Sequence, residues 1–195
     1  SLTADASRYR LRIPAASDNQ VTLIYSGSIY DAAEQSSPEY AQSFAETSGI
    51  IDEIGVYLNS ASLWVPRIDG GLMTFDMEVE FAPGNTGWSS VSQGDRLEQD
   101  AWRSEQPMEE VYLIAAQFTE YSKTIGESSD VEALAYLRTP DQNLATRYLD
   151  ATERYLALYE PLLGDYPFSK FALVENFWQT GYGMPSFTLL GDQII

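Results

Sequence analysis

Between residues 74 and 81 the chain alternates without a miss. Phe75, Met77, Val79 and Phe81 are apolar, and Asp76, Glu78 and Glu80 between them are acidic. Successive side chains of a strand point to opposite faces, so this period of two predicts a strand with one buried face. Pro83-Gly84-Asn85 closes it. Residues 8–13 show the same period, with Arg8, Arg10 and Arg12 against Tyr9, Leu11 and Ile13. A turn is expected over 14–20, and shorter strands over 21–25, 55–58, 62–65, 88–91, 101–103 and 111–118. Pro66 and Asp69-Gly70-Gly71 end the fourth of these runs, counting from residue 8. Residues 31–48 are acidic, Ser-rich and poor in large apolar groups, the composition of a long surface loop. Short strands separated by turn signals predict an antiparallel sandwich or saddle over roughly residues 5–120.

The pattern then changes period. Residues 131–137 are largely apolar and read as one more strand. Thr139-Pro140-Asp141-Gln142 reads as a helix start, with Thr139 as N-cap, Pro140 first in the helix and Gln142 three after the cap. Leu144, Tyr148, Thr152, Tyr155, Leu156, Tyr159 and Leu163 follow at spacings of three and four, which predicts an amphipathic helix of about six turns. Pro161 and Gly164 are expected to end it. Residues 171–174 form a strand after the Tyr166-Pro167-Phe168 turn. The fold class expected is therefore mainly β: a sandwich or saddle domain over 1–120, then a small α/β segment over 121–195. Residues 187–195 stay apolar to the last residue, the pattern of a chain cut short rather than of a frayed terminus.

Composition narrows the chemistry. The 195 residues contain no histidine and no cysteine. Histidine is the commonest general base and metal ligand near neutrality, so Ser-His-Asp and Cys-His catalysis are impossible here. So is a zinc site built from ordinary N and S ligands. Carboxylate chemistry, lysine chemistry and oxygen-only metal binding remain. A net charge of −18 opposes nucleic-acid binding, whose phosphates need Lys and Arg. It also disfavours an anionic membrane surface. No apolar run approaches the roughly 18 residues that would span a bilayer, and the first residues carry no signal-peptide pattern.

Acidic pairs are easy to find among 29 carboxylates. Glu78 with Glu80, Glu109 with Glu110, and Glu127 with Asp130 are examples, and each reads first as a solvated face. Trp64, Trp88, Trp102 and Trp178 could stack against sugars, although core positions suit them equally. The three arginines of residues 8–13 read as a surface ladder pairing with nearby carboxylates. Residues 178–185 place two glycines around Tyr182, then Met184-Pro185, giving a backbone that can pass close to a ligand. A plain turn explains that segment as well.

Taken in order, these pieces form a known series. Gly55-Val56-Tyr57-Leu58, then Trp64-Val65-Pro66, the strand over 74–81, Gly87-Trp88, Val91-Ser92-Gln93-Gly94 and Val111-Tyr112-Leu113-Ile114-Ala115 resemble the N-terminal saddle of the aminopeptidase N family of zinc metallopeptidases. Tyr155-Leu156, Tyr159-Glu160, Leu163-Gly164-Asp165-Tyr166-Pro167-Phe168 and Lys170-Phe171 resemble the start of that family's catalytic domain. The resemblance spans about residues 50–195 and rests on order and spacing rather than on one motif.

The resemblance implies a function. In that family the edge strand leads into a Gly-x-Met-Glu-Asn segment whose backbone lines the substrate groove and whose Glu grips the substrate's amino group. Gly181-Tyr182-Gly183-Met184 occupies that place, so Gly183 and Met184 are implied as substrate-binding residues. Pro185-Ser186 stands where Glu-Asn is expected, so the amine-gripping Glu is not carried over. The family also binds the amine from the saddle domain, and Asn59 to Ser62 lies in that region. The H-E-x-x-H zinc motif would follow shortly after Leu190, which implies zinc for a full-length parent and no cofactor or catalytic residue within this chain. Peptide is the implied partner of the parent, with no nucleic acid and no membrane insertion. An exposed apolar face of 131–195 is expected to drive dimerisation. The competing expectations are a β-sandwich carbohydrate-binding module and a sandwich with no ligand.

Overall fold

A computed structural model describes residues 20–35, 45–66, 70–126 and 131–195. The strands are β1 (Glu34–Gln35), β2 (Ala45–Glu46), β3 (Gly49–Ile51), β4 (Val56–Leu58), β5 (Met73–Glu78), β6 (Trp88–Val91) and β7 (Asp95–Glu98). They continue with β8 (Ala101–Met108), β9 (Leu113–Gln117), β10 (Thr119–Ile125) and β11 (Val131–Leu137). The helix α1 (Gln142–Leu163) then leads to β12 (Lys170–Glu175), β13 (Gly181–Met184) and β14 (Phe187–Leu190). The chain is mainly β, with antiparallel sheets followed by a small α/β segment, as the pattern predicts.

The strands form a β1-β2 ribbon, a four-stranded sheet ordered β3-β4-β9-β6, a three-stranded sheet ordered β5-β8-β7, and a five-stranded sheet ordered β10-β11-β12-β14-β13. The first three are antiparallel throughout. In the last, β12 runs parallel to both β11 and β14. The parallel pair β11 and β12 is joined through α1, the long crossover that such a pair requires.

β11 explains why its sequence lacks alternation. Leu134 and Tyr136 enter a core shared with Tyr57, Val91, Trp102 and Ile114. Val131, Ala133, Ala135 and Leu137 face the other way, into a core with Ala145 and Leu149 of α1. A strand buried on both faces reads as a continuous apolar run. The two cores therefore lie on opposite faces of one sheet.

Several expectations change. Residues 21–25 pair with no strand among the described residues, and Ile24 is 96% exposed. A short apolar run is not enough to make a strand without a ladder partner. Tyr25 instead donates its hydroxyl to the Trp64 carbonyl at 2.8 Å. Residues 62–65 are not a strand either. Ser60–Ser62 form a 3-10 turn capped by Asn59, and Leu63 ends it at φ 56°, a left-handed conformation incompatible with a ladder. The described ends of the expected 31–48 loop pair as β1 and β2, Glu34 opposite Glu46. The helix begins two residues late: its N-cap is Asp141, whose carboxylate accepts from the Leu144 N–H at 2.9 Å, and not Thr139. Pro161 lies inside the helix, and Gly164 alone caps its end. β7 and β10 add to the predicted set. The strand at 8–13, the turn over 14–19, residues 36–44, Asp69 and the Glu127–Asp130 pair lie outside the described residues.

The helix divides along its length. Leu144, Ala145, Tyr148, Leu149 and Leu156 pack inward. Tyr155, Leu158, Tyr159, Leu162 and Leu163 are exposed by 48–81%.

Candidate functional site

β13 and β14 form a hairpin with a two-residue turn, Pro185 and Ser186, at the edge of the five-stranded sheet. Pro185 cannot continue the ladder, which fits its place in the turn. β4 belongs to the four-stranded sheet, and its Tyr57 is 4% exposed. Beyond β4, Asn59 is held twice. Its side-chain oxygen accepts from the Ala61 N–H at 2.9 Å, and its amide donates to the Tyr57 hydroxyl at 3.2 Å.

The β13 edge and the end of β4 border one cleft of about 280 Å³, lined by Glu46, Thr47, Tyr57, Asn59, Tyr112, Tyr182, Gly183 and Met184. Trp178 supports its floor, edge-on to Tyr57 with centroids 5.0 Å apart and to Phe177 at 4.7 Å. Tyr112 donates its hydroxyl to the Glu110 carboxylate in a short hydrogen bond. Burial, that hydrogen bond and the Glu110 charge push the Tyr112 phenol far above its usual value. Burial also raises Tyr57, partly offset by the Asn59 amide and reinforced by the nearby Tyr182, Glu110 and Glu46. Both phenols therefore remain protonated hydrogen-bonding groups at neutral pH.

Gly183 is exposed, and a Cβ built on it would meet nothing within 4 Å. Packing among the described residues does not require glycine there, so the position leaves the backbone open to an approaching group. The cleft offers phenol and threonine hydroxyls, an amide, a carboxylate and a thioether.

The remaining candidates separate. Glu78 and Glu80 are exposed on the outer face of β5 and its extension, the solvated position their alternation predicts. Glu110 reaches Tyr112, while Glu109 is exposed. The indoles are committed elsewhere: Trp102 is fully buried and donates to Ser90 Oγ at 3.0 Å, and Trp64 donates to the Val111 carbonyl at 3.2 Å. Trp88 packs against Phe81, with centroids 6.0 Å apart. A sugar-stacking platform is therefore not favoured. A larger hollow of about 510 Å³ lies over Thr74, Phe75, Asp76, Arg103, Ser104 and Glu105. In it Arg103 pairs with Asp76 at the exposed surface, at 2.5 Å.

The residues present do not fit zinc. The sequence supplies no His or Cys, and among the described residues no group of three Asp or Glu side chains could hold a metal ion.

No protein-family model and no curated protein matches the chain. Among solved structures, an aminopeptidase N family protein of Idiomarina loihiensis matches with a TM-score of 0.52 at 13% identity, over 73% of this chain and 26% of its own. The two share a fold. Native yeast LTA4 hydrolase also matches, with a TM-score of 0.52 at 15% identity, over 72% of this chain and 23% of its own. The chain thus spans about a quarter of the length of each of these two structures. At such identities the likeness carries the architecture and leaves the residues of the cleft to be argued from their own geometry.

Two features of the cleft were not legible beforehand. Tyr112 read only as part of a strand, and only the packing of separate sheets brings it beside Tyr182 and Gly183. Asn59 lies in a stretch that the resemblance marked without naming a residue.

Proposed function

We propose that the chain is the substrate-side portion of a peptide hydrolase of the aminopeptidase N kind and is inactive alone. Residues 1–120 are its saddle domain, and 121–195 open its catalytic domain. Gly183 and Met184 form one wall of the peptide groove. A longer parent supplies zinc and the H-E-x-x-H glutamate, because no residue here can. One observation carries this reading: β13, the last strand of its sheet among the described residues, brings an open glycine to face Tyr57, Asn59 and Tyr112 across a single cleft. An edge strand can take up an extended peptide through main-chain hydrogen bonds, with side-chain pockets selecting alternate residues.

Pro185 and Ser186 supply no carboxylate, so recognition of a free amino terminus is expected to be relaxed. The gene downstream of Ile195 tests the parentage: an H-E-x-x-H within some tens of codons is expected, and its absence would count against the reading. Purified chain should show no peptidase turnover and no stoichiometric zinc by elemental analysis. Measured turnover would overturn the claim of inactivity.

The exposed stripe of α1 is proposed to pair with a second copy. Tyr155, Leu158, Tyr159, Leu162 and Leu163 recur at spacings of three and four, the seam of a helix pair, and such a seam is self-complementary about a two-fold axis. Light scattering should give a dimer that Leu158→Ser with Leu162→Ser dissociates. A wild-type monomer would contradict it.

A further inference from the structure

Lys170 is 1% exposed, among the least expected residues in a protein core. It opens β12, and its ammonium passes between Trp102 and Phe187, 5.2 and 5.6 Å from their ring centroids. Its Nζ donates to the Ser92 carbonyl at 2.9 Å, the Ser186 hydroxyl at 2.7 Å and the Ser186 carbonyl at 3.3 Å. An ammonium has three donors, and here all three are used. The Ser186 hydroxyl in turn donates to the Gly94 carbonyl at 3.0 Å.

The acceptors come from two turns far apart in sequence. Ser92 and Gly94 lie between β6 and β7, and Ser186 is the second residue of the β13–β14 turn. Both turns are held in unusual conformations. Gly94 has φ +82° and sits so close to β8 that a Cβ would lie 2.1 Å from the Arg103 carbonyl oxygen. Ser186 has φ 65°, a left-handed conformation usually given to Gly or Asn. A residue kept there against its preference marks a conformation the surroundings impose. Ser186 is also only 3% exposed, and its hydroxyl is engaged on both sides.

We propose that Lys170 is a positioning residue for the cleft: it pins the β13–β14 turn onto the β6–β7 turn and thereby sets where Gly183 and Met184 stand. Its role in peptide binding rests on the groove reading above, whereas the pin itself does not. The charged groups facing it are Asp95 and Arg96 of β7, with Glu132 in register on β11. Asp95 is itself tied to the residue before β12, accepting from the Ser169 N–H at 2.8 Å and the Ser169 hydroxyl at 2.6 Å. Burial pulls the Lys170 amine down to about 7, so at pH 6 it is mostly charged and has its three donors available.

Amide hydrogen exchange of the whole chain at pH 6 tests the pin. Lys170→Met keeps the volume and removes the donors. It should speed exchange in the 181–190 hairpin by about tenfold or more relative to any change in β10 and the β3-β4 hairpin, since local opening is read separately from global unfolding. Ser186→Ala leaves Lys170 bonded to Ser92 and should give a smaller acceleration confined to the same hairpin. It also carries the test if Lys170→Met does not fold. Acceleration spread evenly over all strands, or none in the hairpin of Ser186→Ala, would overturn the proposal. Titration of wild type with unblocked tri-alanine tests the groove separately. Hairpin loosening without peptide binding would retire the groove and leave the pin standing. With binding, Lys170→Met should weaken it several-fold at equal folded fraction.

Discussion

The two faces of the five-stranded sheet are covered in different ways. On one face, Leu134, Tyr136, Ala172, Val174, Phe187 and Leu189 meet residues of two other sheets, with Trp102 fully buried among them. On the other, small residues of β11 meet one helix, and that helix turns its last large apolar side chains outward. The first face is closed by the chain's own residues, and it supports the cleft and holds the buried lysine. The second is covered by the helix alone, whose own outer side carries the exposed apolar residues. The contrast separates the part of the fold that shapes the cleft from a helix whose outer side stays exposed among the described residues.

The largest expected effect lies on the closed face. Trp102→Ala removes a fully buried ring and leaves the Ser90 hydroxyl without its donor. It should cost about 3–5 kcal/mol, seen as loss of the cooperative transition in urea. A cost below about 1 kcal/mol would mean that this core is not what closes the sheets.

Next is the pH dependence set by Lys170. Unfolded, its amine holds its proton to the usual 10.5, while the folded chain releases it near 7. Between those values the unfolded state binds more protons, so stability should rise with pH, by an amount on the order of a few kcal/mol. Above the usual tyrosine value of 10.0 the slope reverses, because burial holds Tyr57, Tyr112, Tyr136 and Tyr166 protonated in the fold. Urea midpoints from pH 7 to 10 check this. Lys170→Met should flatten the rise, and an unchanged slope in that variant would assign it elsewhere.

The two ends of α1 sharpen the comparison further. Leu149 is 5% exposed and Leu162 is 71% exposed. Leu149→Ala should cost about 2–3 kcal/mol, and Leu162→Ala under about 0.5 kcal/mol when measured on dilute chain. Equal costs would show that the helix is not divided as described. The smallest effect is at its start: Asp141→Ala should cost about 1 kcal/mol, while Thr139→Ala should be close to neutral.

What could be read from the sequence follows from how each element meets solvent. β5 has one wet and one dry face, so its alternation was plain. β11 is dry on both faces and α1 is long, so each was legible in type. β10 was hidden because its inward positions hold Thr119, Tyr121 and Lys123 in place of aliphatic residues, and its Glu120 pairs with Arg96 of β7 at 2.7 Å. The helix start was misplaced because Thr139, Pro140 and Asp141 are all start residues, and only geometry selects the carboxylate that reaches Leu144. Gly183 and Met184 were marked by resemblance, but the far wall of the cleft depends on pairing between sheets. Lys170 was noted only as part of a motif, since burial of a lysine cannot be read from its neighbours in sequence.

The central claim, that of the proposed function, is that the β13 edge and the Tyr57–Asn59 segment together bind peptide. Nuclear magnetic resonance titration of isotope-labelled chain with unblocked tri-alanine tests it most directly. Shifts concentrated on Tyr57, Asn59, Tyr112, Gly183 and Met184 are predicted. Saturating peptide that leaves those signals unmoved, or that shifts the hollow over Asp76 and Arg103 instead, would contradict it.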